Sequence, residues 1–530
     1  MKKKLNYYIF SPLLLLYFTS RVYSGLQFTP MQNNAENIHK VDNKSKFANF
    51  LQHELKDAVV QVFAQIAEFN WLEPYKSPNQ IEATGTAFFI NDGELITNAH
   101  VVDQAKAIFI QVPGTGKRRY EVDVLGVNPE RDLALLKLKP KEKEQLLKDL
   151  NVKQLVCLTC GDSDLISKAE KIITVGFPLG QQGIKNTKGV VSGRENIAGQ
   201  HFLQIDAALN KGNSGGPSID KSGKVIGVNS AIYQGAQSVG YIIPINDVKI
   251  FLEQLQNMKV DSDGPKLIHK PYLGVVFNNA NDTLTKFLNN PPPGGLYVVE
   301  IYKNSPLDKA GLQAGDMIYK INGIDVDIFG EMQTPWSRGE KISIIDYVTR
   351  LKIGQNITIE YYRNGKKLNT SFMFMQSEKP PIRRVYPGYE KVDYEVIGGL
   401  VIMPLTLNHI VLLAQFAPEL ISYTDVKKHM DPALVITNVM LNSPAYRSRC
   451  MMPGAIISEV NGEKVKNITE YNKAIKKSLD TGYLTIKTTD SIFLVLTLDE
   501  ILEAEHNLSK TYLYPMSNVL KEMEAARKAK

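Results

Sequence analysis

Between residues 84 and 244 the apolar positions come in short runs, at 86–90, 107–112, 133–138, 172–175 and 224–228, cut apart by Gly, Asn, Asp and Pro. Such runs are too short for helices, and with turn signals between them they predict strands of an all-β barrel or sandwich. Ahead of them Phe47, Phe50, Leu51 and Leu55 recur at helical spacing, and 59–63 is a β-branched run, so a helix leading into a strand is expected. Behind them 246–255 has a helical pattern with Asn246 as its cap, and Asp-Ser-Asp-Gly-Pro at 261–265 marks a boundary.

The second half carries a weak internal repeat. Ser305-Pro306 precedes Gly-Asp-Met-Ile-Tyr-Lys-Ile-Asn-Gly at 315–323, and Ser443-Pro444 precedes Gly-Ala-Ile-Ile-Ser-Glu-Val-Asn-Gly at 454–462. Order and spacing agree, so one module is used twice. Between the copies, 379–387 (Lys-Pro-Pro-Ile-Arg-Arg-Val-Tyr-Pro) reads as an extended linker. In the second copy Asn467-Ile-Thr-Glu470 has the form of a capping box opening a helix with Ile468, Tyr471, Ala474, Ile475 and Leu479 on one face, which makes the module mixed α and β.

The 530 residues exceed what one core organises, and about three domains are expected. Residues 1–24 have a Lys2-Lys3-Lys4 head, an apolar stretch from Tyr7 to Phe18 and a small-residue exit, the pattern of a cleavable secretory signal. An uncleaved signal is the one route to a membrane, because the apolar run is short for a span. Residues 25–45 are polar and rich in Asn and Lys, a flexible arm by composition. Loss of residues 1–24 removes Lys2, Lys3, Lys4, Arg21 and no acid, so the net charge falls from +7 to +3, which argues against a nucleic-acid partner. Three cysteines, Cys157, Cys160 and Cys450, are too few for a disulfide scaffold. Cys157 and Cys160 have redox or half-zinc spacing but lack a second pair, and are expected as two partly buried thiols.

Three local segments carry candidate chemistry: Leu-Ile-Thr-Asn-Ala-His at 95–100, Asn-Pro-Glu-Arg-Asp at 128–132, and Lys-Gly-Asn-Ser-Gly-Gly-Pro at 211–217. Serine-based acyl transfer needs a nucleophile, a base, an acid to orient the base, and donors for the oxyanion. Ser214, His100 and Asp132 supply the first three, in the chain order His, Asp, Ser of chymotrypsin-type enzymes. Gly212, Asn213 and Ser214 form a turn whose Gly212 and Ser214 N–H groups would face one developing anion, while Gly215 and Gly216 would leave room for substrate and permit positive φ. The eight histidines are scattered and no His-Glu-x-x-His occurs, so neither a metal site nor any other cofactor is expected.

These segments resemble those of the HtrA/Deg family of trypsin-like proteases, and the similarity runs from about residue 55 to the C-terminus. Further family-like stretches are 85–89 (Gly-Thr-Ala-Phe-Phe), 176–180, 187–193 and 204–210. The resemblance implies a mainly β chain with α/β modules: a chymotrypsin-like double β-barrel at 46–260, PDZ-like domains at 266–378 and 388–500, and a helical tail at 501–530. It implies that loops 180–187 and 233–238 border the active site, and that Tyr272, Leu273, Gly274 and Val275 form the carboxylate-binding loop of the first PDZ-like module. The second module, through 394–405 and 493–500, looks more like that of plant organellar Deg proteases. The N-terminus is Lys-headed and apolar, unlike an Arg- and Ser-rich organellar presequence, so a periplasmic or secreted location is expected.

The function expected from this resemblance is ATP-independent endoproteolysis of unfolded or damaged proteins. Unfolded polypeptides and C-terminal peptides would be its partners and a homo-oligomer, a trimer or a multiple of one, its assembly. A reading of a different class is a chaperone or peptide-binding scaffold whose protease site rests.

Overall fold

The structure is a computed structural model that describes residues 54–529 apart from 182, 198, 231–238, 259–263, 272, 338 and 376–377. The expected signal, the arm, Phe47, Phe50, Leu51, Tyr272, the loop 233–238 and most of the turn-rich 261–265 lie outside the described residues.

The β-branched run after the short helix Leu55–Ala58 becomes β1 (Val59–Glu68). It is followed by β2 (Asn79–Asn91), β3 (Glu94–Thr97), β4 (Ala105–Gln111), β5 (Tyr120–Asn128) and β6 (Leu133–Leu138). The order β5-β4-β1-β2-β3-β6 closes on itself because β5 also pairs with β6. Inward residues such as Val60, Val62, Phe89, Leu95, Ile110 and Leu136 alternate with outward ones, so one face of each strand fills the barrel.

A second closed barrel has the order β10-β11-β12-β9-β8-β7, from β7 (Lys171–Gly176), β8 (Lys185–Ile197), β9 (Gln200–Ile205), β10 (Pro217–Asp220), β11 (Val225–Ser230) and β12 (Gly240–Pro244). Full closure leaves neither barrel an exposed edge. The helix Ile245–Asn257 follows, capped at Pro244 rather than at the expected Asn246, which sits in the first turn and donates to Asp162 at 2.8 Å. The chain then returns to the first barrel, where β13 (Lys266–Leu267) pairs in parallel with β5.

Both copies of the repeat are mixed α/β modules. The first has the sheet strands Val275–Asn278, Leu296–Ile301, Met317–Ile321, Asn356–Arg363 and Lys366–Met373, with Val275–Asn278 at one edge. The second runs Glu395–Ile397, Leu400–Pro404, Leu434–Val439, Ile456–Val460, Tyr483–Thr488 and Phe493–Thr497. Asn467 caps its helix as expected, but Glu470 reaches back to the N–H of Lys466 rather than of Asn467. The final segment is helical, and Leu498, Ile501, Val519, Leu520 and Met523 complete the core of that module.

The stretch 379–387 is bent rather than extended, and the turn after it sets Tyr389 against the first barrel, its hydroxyl donating to the carbonyl of Val102 at 3.3 Å. The connection after β1 is a second bridge: Trp71 meets the ring of His409, and Thr437 Oγ1 donates to Leu72 O at 3.0 Å.

Candidate active site

His100 lies on the helical turn Ala99–Val102 that follows β3, and Asp132 on the turn that starts β6, so β3–β6 pairing brings them together. His100 Nδ1 is 2.9 and 2.8 Å from the two Asp132 carboxylate oxygens, and the His100 N–H donates to Oδ1 at 3.0 Å. Ser230 Oγ donates to Asp132 Oδ2 at 3.3 Å, and Asn98 Nδ2 to the Asp132 carbonyl at 2.9 Å. A carboxylate held from three sides fixes the imidazole with Nε2 as the free acceptor. Burial by itself lowers the His100 pKa, but the charge and hydrogen bond of Asp132, with the charge of Asp103, outweigh it and hold the imidazole above its ordinary value.

Ser214 stands on the turn ahead of β10, in the second barrel, facing the first. Its carbonyl accepts from Thr86 N of β2 at 2.9 Å, while the Gly215 N–H donates to Asn229 O at 2.9 Å. Asn229 braces the turn further, donating from Nδ2 to Val175 O and accepting from Ser218 Oγ. Among the described residues Ser214 Oγ makes no hydrogen bond to His100. The pair His100 and Asp132 is assembled, then, and the serine lies across the barrel interface without that contact closed.

In the turn itself, Thr86 Oγ1 donates to Gly212 O at 2.6 Å and accepts from Phe177 N at 3.2 Å, which points that carbonyl into the protein. The Asn213 N–H is committed to Asn210 O at 3.0 Å. Among the described residues the Gly212 and Ser214 N–H groups, one on either side of Asn213, have no hydrogen-bond partner.

Gly215 has the positive φ expected of it and Gly216 does not. A Cβ on Gly215, whose φ is +86°, would lie 2.1 Å from Thr86 O and 2.3 Å from Thr97 Oγ1; on Gly216, whose φ is not positive, it would lie 2.1 Å from Val175 O. The space they leave is taken up by backbone and side-chain atoms of the protein, Thr86 O, Thr97 Oγ1 and Val175 O.

Just ahead of the expected loop 180–187, Leu179 N donates to Lys211 O of the serine turn at 2.6 Å. In the first module Gly274 has φ +68° and its carbonyl accepts from Tyr302 N, shaping the loop that also holds Leu273 and Val275. Cys157 and Cys160 are free and partly buried, and burial raises both thiol pKa values. Sequence reasoning missed Thr86, Asn229 and Ser230. Thr86 stood within a noted stretch, but nothing local marked any of them, because their partners are distant in the chain.

Comparison with known proteins agrees with this architecture. Residues 85–228 match the model of the trypsin-like peptidase domain, and residues 271–372 and 386–518 each match a PDZ domain model. The chain is 26% identical over 423 residues to the periplasmic serine endoprotease DegP of Escherichia coli (strain K12), covering 78% of this chain and 76% of that one. With the serine protease Do-like HtrB of Bacillus subtilis (strain 168) it shares 34% over 292 residues, 51% of this chain and 57% of that one. A solved structure of the HtrA-type protease AlgW with decapeptide aligns with a TM-score of 0.48 at 25% identity, over 63% of this chain and 99% of that one.

Two closed barrels with PDZ domains behind them define the class as a trypsin-like serine endopeptidase. More narrowly, a trypsin-like peptidase domain followed by two PDZ domains, together with the similarity to DegP and HtrB, supports the HtrA/Deg family.

Proposed function

We propose that this serine endopeptidase degrades unfolded or damaged polypeptides without ATP, with Ser214 as nucleophile, His100 as base and Asp132 as the acid that orients it. The observation that carries the assignment is the grip of Asp132 on both Nδ1 and the backbone N–H of His100. Held so, Nε2 takes the Ser214 proton as Oγ attacks the scissile carbonyl, and returns it to the leaving amine when the tetrahedral intermediate collapses. The Gly212 and Ser214 N–H groups stabilise the oxyanion; loss of one such donor costs about 3–4 kcal/mol of barrier.

The first PDZ-like module receives C-terminal peptides on the loop around Leu273, Gly274 and Val275, the peptide adding as a strand. A periplasmic or secreted location fits the relatives named periplasmic, and assembly as a homo-oligomer accompanies the family reading. A second reading, a peptide-binding scaffold with a resting protease site, is favoured by the open contact between Ser214 Oγ and His100.

Incubation with unfolded casein separates the two. Wild type is expected to cleave it and Ser214→Ala to lose about 10⁶-fold in turnover, as catalytic groups that act as a unit do. Cleavage unchanged in Ser214→Ala would remove the assignment, and a wild-type protein that binds casein without cutting it would favour the scaffold.

A further inference from the structure

The two PDZ-like modules can be superposed on their own hydrogen bonds. In the first, Tyr302 N donates to Gly274 O at 2.8 Å, three residues before the helix cap Ser305; in the second, Met440 N donates to Gly399 O at 2.8 Å, three residues before the cap Ser443. Leu273-Gly274-Val275 therefore corresponds to Gly398-Gly399-Leu400, and the strand Val275–Asn278 to Leu400–Pro404. A peptide joining a PDZ domain needs two things there: a free strand edge to pair with, and loop N–H groups for its terminal carboxylate.

Among the described residues the first module keeps its edge open, since Val275–Asn278 ends the sheet and pairs with Leu296–Ile301 alone. In the second module both requirements are already met from within. The outer edge of Leu400–Pro404 is paired with Glu395–Ile397, in the register Glu395 to Ile402, Val396 to Val401 and Ile397 to Leu400. Gly398 and Gly399, at φ +55° and +89°, make the tight hairpin that allows this, the conformation of a two-residue turn with positive φ at both positions.

The loop N–H of Gly398 donates to a carboxylate, Oε2 of Glu505 at 3.3 Å, while Tyr514 Oη donates to Oε1 at 2.6 Å. Glu505 is fully buried on the helix Leu498–Tyr512. That helix and the segment after it close over the hairpin, with Leu508 and Tyr514 packed on Val396, Val401 and Met440. From the other side Asn472 Nδ2, on the helix Ile468–Ile475, donates to Glu395 Oε1 at 2.9 Å.

We propose that the second PDZ-like module is closed to outside peptides: the strand 395–397 and the Glu505 carboxylate are its resident ligand, and capture of chain ends falls to the first module. The comparison rests on reading the first module as the peptide receptor, but the closure of the second does not.

Amide hydrogen exchange resolved to single residues, on full-length Ser214→Ala so that the probe survives, tests both parts. The probe is a synthetic decapeptide with an apolar last residue and a free carboxylate, with its C-terminal amide as control. Without peptide, the Leu400–Pro404 amides that face 395–397 should exchange at least tenfold more slowly than the outer-edge amides of Val275–Asn278. Added peptide should slow the latter and leave the former unchanged.

Equal exchange at the two edges in the free protein, or peptide-dependent protection at Leu400–Pro404, overturns the proposal. If peptide slows neither strand, the receptor reading of the first module fails, while slow exchange at Leu400–Pro404 still supports closure. Glu505→Ala should speed exchange at Gly398 at least tenfold with Leu400–Pro404 unchanged; an unaltered Gly398 would discard the carboxylate's part. Should that variant unfold, the comparison of the two edges in Ser214→Ala with Glu505 intact still decides.

Discussion

Glu505→Gln should free the last module from a pH-dependent penalty. Burial raises this carboxyl to about 7, against the opposing hydrogen bonds from Tyr514 and Gly398 and the charge of His506, while Glu395 adds to the rise. A carboxyl whose folded pKa exceeds its unfolded one keeps its proton in the fold, so its contribution is full below about 4.5 and is lost as pH climbs through 7. The gap from 4.5 to about 7 corresponds to about 3 kcal/mol. Glutamine keeps the shape, one acceptor for Gly398 and a donor for the Tyr514 oxygen, but never ionises. At pH 4.5 the two proteins should therefore be of similar stability, and by pH 8 the variant should be more stable by about 3 kcal/mol. Urea titrations at intervening pH values measure this. Trp71, whose ring meets His409 of that module, is the fluorescent reporter once the other tryptophan is removed as Trp336→Phe. Parallel stability curves for the parent chain and the Glu505→Gln variant across that range would refute the reasoning.

Proteolysis should fall on acidification with a midpoint above the ordinary histidine value of about 6.5, because His100 must be neutral to accept a proton and Asp132 favours its charged form. Asp132→Asn should lower that midpoint and reduce kcat by about 10⁴; a wild-type midpoint below 6.5 would contradict the pairing. Arg131→Met should destabilise the chain by about 3–5 kcal/mol, since it strips the partner from Asp247, which is 3.6 Å from Nη1 and buried along with the guanidinium. Calorimetry should show the loss, and Arg131→Met, Asp247→Asn together should recover part of it.

The barrels and the three segments proposed to carry catalysis were legible because each signal is local: short apolar runs, a histidine after a strand, a serine among glycines. What braces them was not. Thr86 meets Gly212 across 126 positions and Ser230 meets Asp132 across 98, contacts that no window of sequence contains. Gly215 and Gly216 were singled out as room for substrate and for positive φ, but only coordinates reveal that Thr86, Thr97 and Val175 crowd them. In the last module an apolar stretch such as 394–405 reads alike whether its neighbour is resident or incoming. Glu505 looked like one more charge on a helical tail, because nothing in the helix pattern shows that Tyr514 folds back over it.

Asp132 is preceded in the chain by two residues that are fastened elsewhere. Arg131 Nη2 donates to Thr349 O at 2.5 Å, in the first PDZ-like module, and Glu130 accepts from Lys270 N at 2.7 Å and contacts His269 at 2.8 Å, on the segment leading into it. Any swing of that module pulls on the four-residue loop 129–132, whose last member steadies the imidazole. Bond cleavage and domain posture thus share one short piece of backbone, and evolution could alter the tension of that tether without touching a catalytic side chain.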